Sequence, residues 1–160
     1  MTEQSEEAER DRDESPPERL DRNTVELLNE LRIAGTGIQV LFAFLLILPF
    51  NRGWTRTDPF QRTVYFITLL VVALAAFLLM APPIHHRLLF RHGEKPFLIR
   101  TGNYMAIAGM ICLGIGFVGI LVLIADYVVG GAAPVIVGVL AAAIIVVLWF
   151  MVPLVRRDAE

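Results

Sequence analysis

Cysteine occurs once in these 160 residues, as Cys112 inside an apolar run. A single thiol excludes an intrachain disulfide and any thiolate metal cluster, and leaves Cys112 as a small packing residue. Charge is absent from the interior of four long apolar runs, where Glu30 and Asp126 stand at the ends. Proton- or sodium-coupled transport generally needs an ionisable group at membrane depth, and none is provided. A Walker loop, a glycine-rich dinucleotide fingerprint, a zinc motif, a serine elbow and a kinase signature are all missing, and no nucleophile has a partner nearby in sequence. No catalytic residue, cofactor site or metal site is therefore expected, and the chain does not read as an enzyme. The basic residues lack the density of a nucleic-acid surface, so no nucleic-acid partner is expected.

What is abundant is apolar mass. Hydrophobic residues make up 56% of the chain, more than a soluble domain of this size carries, and the excess must go into lipid. The formal charge of −2 hides an asymmetry. Residues 1–32 hold eleven acidic against five basic residues, a net −6, whereas the remainder holds five against nine, a net +4. Residues 1–19 lack any branched or aromatic apolar side chain and are predicted to be a disordered acidic tail. The first apolar run begins only after about thirty residues of acidic sequence, which does not fit a cleaved signal peptide.

From Asn23, a capping-box pattern with Glu26 opens a short amphipathic entry helix over residues 20–32. Leu20, Leu27, Leu28 and Leu31 share one face, and Arg22, Glu26 and Glu30 the other. This helix either lies on the membrane or is a direct extension of the first span. The four runs, at about 33–50, 64–81, 104–125 and 133–152, are each close to the roughly 20 residues that cross a bilayer core. Backbone groups cannot go unpaired in lipid, so these runs are predicted to be helices. The expected fold class is all-α: a four-helix transmembrane bundle over 33–155, followed by a tail at 156–160. Pro82 and Pro83 are expected to end the second span, and Pro134 sits where a helix tolerates it, in the first turn of the fourth.

Orientation follows from counting lysines and arginines. The N-terminal segment, the 82–103 connector and the C-terminal tail hold eleven, against three (Arg52, Arg56 and Arg62) on the other side. The positive-inside rule then places both termini in the cytoplasm of a multi-pass plasma-membrane protein. Trp54, Tyr65 and Tyr127 are expected at the outer boundary, Tyr104 and Trp149 at the inner one.

All three histidines fall in the connector PPIHHRLLFRHGEKP. His85 and His92 would stand about 10 Å apart on a helix, too far to share one ion, and no pair has the i, i+4 spacing of a helical chelate. Only a loop conformation would gather His86, His92 and Glu94. The connector instead forms a basic electrostatic cluster of His85, His86, Arg87, Arg91, His92 and Lys95 at the headgroups, able to attract the acidic tail loosely, and more strongly in mild acid. Within the spans, Thr36 and Gln39 share a face with Ala43, and Gln39 is expected to hydrogen-bond across an interface at the depth of Ala75 and Ala76. Ala108, Cys112 and Gly116, with Gly109, Gly114, Gly119, Gly138 and Ala142, form small-residue seams that pack either within one bundle or between copies.

The segments RLDRNTVELLNELRIAGTGIQVLFAFLLILPF and FQRTVYFITLLVVALAAFLLMAPPIHHRLLFR resemble a family of small bacterial four-span membrane proteins classed as a domain of unknown function. The similarity covers about residues 19–128 and rests on ELLNELR, TGIQ, FQRTVY and HHRLLFR. It implies the four-span architecture. Some relatives carry a sodium:proton antiporter label, which the lack of a carboxylate within the spans argues against. Two functions remain. One is a structural or partner-binding protein that meets the bilayer and a homo-oligomer or membrane partner through its small-residue faces. The other is a small oligomeric transporter or channel for a proton, cation or solute, with Thr36, Gln39 and Thr68 lining the path.

Overall fold

A computed structural model describes residues 16–89, 95–152 and 155. These residues form α1 (Pro16–Ile47), a 3-10 turn at Leu48–Phe50, a second at Arg52–Arg56, α2 (Pro59–Leu89), α3 (Lys95–Val128) and α4 (Ala133–Val146), which continues as a π turn over Val147–Met151. No strand occurs among the described residues. Four helices are long and apolar enough to cross a membrane, so the all-α, four-span reading holds.

Burial explains why the helices associate as they do. In α2 the buried positions are Gln61, Tyr65, Thr68, Val72, Ala75, Leu79 and Pro82, which alternate steps of four and three. In α3 the same alternation runs Gly102, Ala106, Gly109, Leu113, Gly116, half-buried Ile120 and Leu123. In α1, Leu31, Ile38 and Leu45 are buried at seven-residue intervals, with half-buried Leu27, Ala34, Leu41 and Leu48 between them. A repeat of 3.5 residues keeps one stripe facing its neighbour when helices cross at about 20° with interlocking side chains.

Glycine sets how closely α2 and α3 approach. A Cβ at Gly119 would lie 2.2 Å from the Thr68 hydroxyl oxygen, one at Gly116 would lie 2.5 Å from a Val72 methyl, and one at Gly109 would lie 2.7 Å from Leu79. The partners ascend α2, from Thr68 to Leu79, as the glycines descend α3, from Gly119 to Gly109, which fixes an antiparallel register. Gly109, Gly116 and Gly119 of the small-residue seams thus pack within one chain. Gly138 of α4 meets Val122, and Gly114 meets Ile145 and Trp149, so α4 rides on a different face of α3. Among the described residues it packs on no other long helix. The bundle is therefore a three-helix core with α4 added on one side, and α4 is apolar all round, as a rod facing lipid should be. Gly130 and Gly131, at φ 71° and 60°, let the chain reverse between α3 and α4 in a conformation that other residues rarely adopt.

Three boundaries differ from those read in the sequence. Of the two readings open for the entry helix, the structure has the direct extension: α1 runs unbroken from Pro16 into the span, so the helix begins before residue 20. Asn23 and Glu26 are therefore mid-helical, and Glu26 pairs at 4.0 Å with Arg22 instead of closing a capping box. The expected disordered tail lies outside the described residues up to residue 15, as does the C-terminal tail at 156–160. Pro82 and Pro83 do not end α2, which continues to Leu89. Pro82 is buried in the seam against Gly102, and prolines near helix ends are tolerated in membranes because breaking the helix would free more backbone groups than two missing N–H donors do. Finally, α1, α2 and α3, with 32, 31 and 34 residues, are about 46–51 Å long. That overruns a core of about 30 Å, and the excess lies at the end that bears residues 16–32 and 83–103.

Gly119→Ala should destabilise the bundle by about 1–3 kcal/mol through overpacking, and Thr68→Ala in the same chain should recover most of the loss. Gly37→Ala, where a Cβ would meet nothing within 4 Å, should be neutral or stabilising by up to about 1 kcal/mol. Denaturant unfolding in micelles, followed by circular dichroism, checks all three.

Candidate functional site

The described polar side chains with partners on other helices concentrate at the end bearing the 51–58 and 129–132 turns. The run Asp58-Pro59-Phe60-Gln61 opens α2 with a capping box. Asp58 accepts from the Gln61 backbone N–H at 2.8 Å, and the Gln61 side-chain oxygen accepts from the Asp58 backbone N–H at 3.3 Å. Pro59 occupies the first helical position, where its lack of a donor costs nothing. With its oxygen engaged there, Gln61 points its amide nitrogen across to α3 and donates to Asp126 at 2.9 Å, although only 8% of Gln61 is exposed. Asp126 lies in the last turns of α3, where the helix dipole disfavours an anion, but the positive N-terminal end of antiparallel α2 stands beside it. One glutamine therefore starts α2 and ties it to α3.

A second brace joins α2 to α1. Pro49 has no N–H, so the carbonyl four residues earlier, that of Leu45, lacks its α-helical donor. Leu45 is fully buried, and an orphan carbonyl there would be costly. The Tyr65 hydroxyl donates to that oxygen at 3.0 Å. Tyr65 is thus an inward-facing brace between α2 and α1. The Trp54 ring packs edge-on against Tyr65 at 4.7 Å between centroids and 71° between planes. Thr57 donates to the Trp54 carbonyl at 2.7 Å and accepts from Arg62 Nε at 3.2 Å. Beside this cluster, a groove of about 300 Å³ runs between α1, the second 3-10 turn and α3, lined by Phe44, Leu48, Trp54, Leu123, Ile124 and Tyr127 among others.

Of the three polar residues singled out within the spans, two share a groove and the third stands apart from it. Thr36 and Gln39 line a groove of about 610 Å³ between α1 and α2, with Gly35, Ala76, Leu79 and Met80. Thr36 donates back to the Arg32 carbonyl at 3.1 Å. Gln39 is exposed. The bond expected from it across the interface is not formed among the described residues, because its α2 neighbours in the groove are the apolar Ala76, Leu79 and Met80. Thr68 is outside this groove, 4% exposed, and packed against Gly119 on α3. In the connector, Arg91 and His92 lie outside the described residues. The backbones of His86 and Lys95 are helical, His85 is half-buried and Arg87 exposed. At the same end Arg100 stacks over the Tyr104 ring at 6.0 Å from its centroid.

Gln61, Asp126 and Tyr65 were missed as a set. The pattern Asp-Pro-x-Gln after a polar turn signals a helix start, and Pro49 four residues beyond Leu45 signals a carbonyl needing a donor. Which residues answer them is a matter of tertiary placement.

Four helices of membrane-crossing length and apolarity, two of them joined by a glycine-closed seam, mark a multi-pass membrane protein. The chain belongs to the family of unknown function DUF6328, whose model matches residues 13–153. No curated protein and no solved structure matches it significantly.

Tyr65→Phe should lower stability by about 1–3 kcal/mol, the cost of leaving a buried acceptor unpaired. In a Pro49→Ala background, where the Leu45 carbonyl regains an N–H partner, the same change should cost clearly less. A double-mutant cycle from denaturant unfolding measures the difference.

Proposed function

We propose that this protein is a non-enzymatic, structural or partner-binding protein of the bacterial plasma membrane, with both termini and the 82–103 connector in the cytoplasm, and that α1 is the helix it offers to a membrane partner. The observation that carries this reading is the state of Gln39. Its amide sits eight residues before the end of α1 at Ile47, about 12 Å into the span, with no hydrogen-bond partner among the described residues. An amide in hydrocarbon costs several kcal/mol unless paired. A carbonyl or hydroxyl on a neighbouring helix would satisfy it.

The glycines beside it support the same reading. Glycine inside a helix costs about 1 kcal/mol relative to alanine, and those of the α2–α3 seam have an evident return in close packing. Gly35 and Gly37 do not, because a Cβ at either would meet nothing within 4 Å among the described residues. Gly35 lies one turn before Gln39 on the same face of α1, lining the same groove, and leaves room there for a second backbone to approach the amide. The transporter reading would place Thr36, Gln39 and Thr68 on one path. The burial of Thr68 against Gly119 favours the partner-binding reading over it.

A single variant separates the two. With a photo-reactive residue at Ala43, on the same face of α1, irradiation of native membranes should give a discrete adduct that Gln39→Leu abolishes, while the same probe at Phe77, on the lipid face of α2, gives none. Proton, cation or solute flux in proteoliposomes that requires Gln39 would contradict the proposal and support transport.

A further inference from the structure

The groove beside Trp54 has a chemistry that points to one occupant. Its walls are apolar: Phe44 from α1, Leu48 from the first 3-10 turn, Trp54 from the second, and Ile120, Leu123 and Ile124 from α3. Of the polar residues in its lining, Asn51, Thr57 and Tyr127, the first two use their side-chain donors locally, on the Ile47 and Trp54 carbonyls at 3.3 and 2.7 Å. A polar ligand would find little to bind, and an apolar cavity at membrane depth does not fill with water. The groove lies where spans give way to turns, close to the expected headgroup level.

Two cations stand at this place. Arg52 and Arg56 are exposed and alternate along the chain with the lining residues Gly53, Trp54 and Thr57. Neither has an ion-pair partner among the described residues. Arg62, the third arginine of this side, is instead held by Thr57. Gly53 lets the arginine-bearing turn close onto α3, since a Cβ there would lie 3.0 Å from the Tyr127 hydroxyl. An apolar slot near the headgroup level, walled by a turn whose two arginines have no ion-pair partner among the described residues, is complementary to one amphiphile, an acyl chain carrying an anionic phosphate.

We propose that this groove binds an anionic phospholipid of the leaflet at the turn end, its acyl chain lying against Trp54 and Ile124 and its phosphate held by Arg52 and Arg56. The site is independent of Gln39, which faces a different groove. It also gives a role to the arginines on the side of the membrane that carries few basic residues.

Trp54 is a built-in reporter, and the chain has one other tryptophan, Trp149. The full-length Trp149→Phe protein is reconstituted into phosphatidylcholine vesicles containing increasing fractions of dibrominated phosphatidylglycerol or dibrominated phosphatidylcholine, and Trp54 fluorescence is followed. The expected result is saturable quenching by the brominated anionic lipid, half-complete at a mole fraction about five- to tenfold lower than for the brominated zwitterionic lipid. Arg52→Gln with Arg56→Gln should erase that preference, and Ile124→Phe, which narrows the slot without adding a fluorophore of the tryptophan type, should erase the saturable phase. In the reciprocal Trp54→Phe protein, Trp149 should be quenched equally by both lipids. Equal quenching of Trp54 by the two lipids, or a preference that survives loss of both arginines, would overturn the proposal.

Discussion

The close approach of α2 and α3 governs the rest of the molecule. In lipid no hydrophobic force draws apolar helices together, so association depends on van der Waals fit and on the few polar groups that find partners. Gly109, Gly116 and Gly119 supply the fit by admitting Leu79, Val72 and Thr68 to distances that any Cβ would forbid. Fitting the seam at these three levels fixes the rotation of both helices, and with it the faces left for α1 and α4. The same seam leaves little space between α2 and α3 at these levels, since β-branched Val72 and Thr68 fill the glycine notches.

The polar braces act on a core already fitted by packing. Gln61 and Tyr65 occupy stripe positions of α2 near its start, where the helices approach the headgroups and an apolar residue would have packed equally well. Their hydrogen bonds, to Asp126 of α3 and to the Leu45 carbonyl of α1, tie the three core helices at one level. Pro49 creates the acceptor that Tyr65 answers, so a residue that weakens the end of α1 also specifies where α2 must stand. The opposite end has a different character. There α1, α2 and α3 overrun the bilayer thickness and carry charge, which suits a surface offered to the aqueous phase.

Architecture was legible in the sequence because lipid imposes it. Apolar runs of about twenty residues admit helices, and their number and approximate positions follow from composition. Pro82 and Pro83 were misleading, since the rule that proline ends helices weakens where continued hydrogen bonding is worth more than two lost donors. The seam glycines were visible as a small-residue pattern, but whether they meet another part of this chain or another molecule is a question of tertiary placement; the alternation of four and three along α2 was the sharper signal. Thr68 shows the limit most plainly. As a polar residue within a span it suggested a path, whereas its position, between Tyr65 and Val72 on the buried stripe, makes it a packing residue opposite Gly119.

Two surfaces remain to be occupied in the proposals drawn from this fold, the α1 face around Gln39 and the groove beneath Arg52 and Arg56. Both presuppose the register of the α2–α3 seam. That register is tested most directly by disulfide trapping in membranes, using a Cys112→Ala chain with cysteines introduced at Thr68 and Gly119. A Cβ at Gly119 would lie 3.2 Å from that of Thr68, within a small relaxation of the separation of about 3.5–4.5 Å that a disulfide spans. The account predicts rapid cross-linking of the 68–119 pair and none between cysteines at Ala75 and Gly119, one heptad or about 10 Å away. Linking of the 75–119 pair in preference to 68–119 would contradict it.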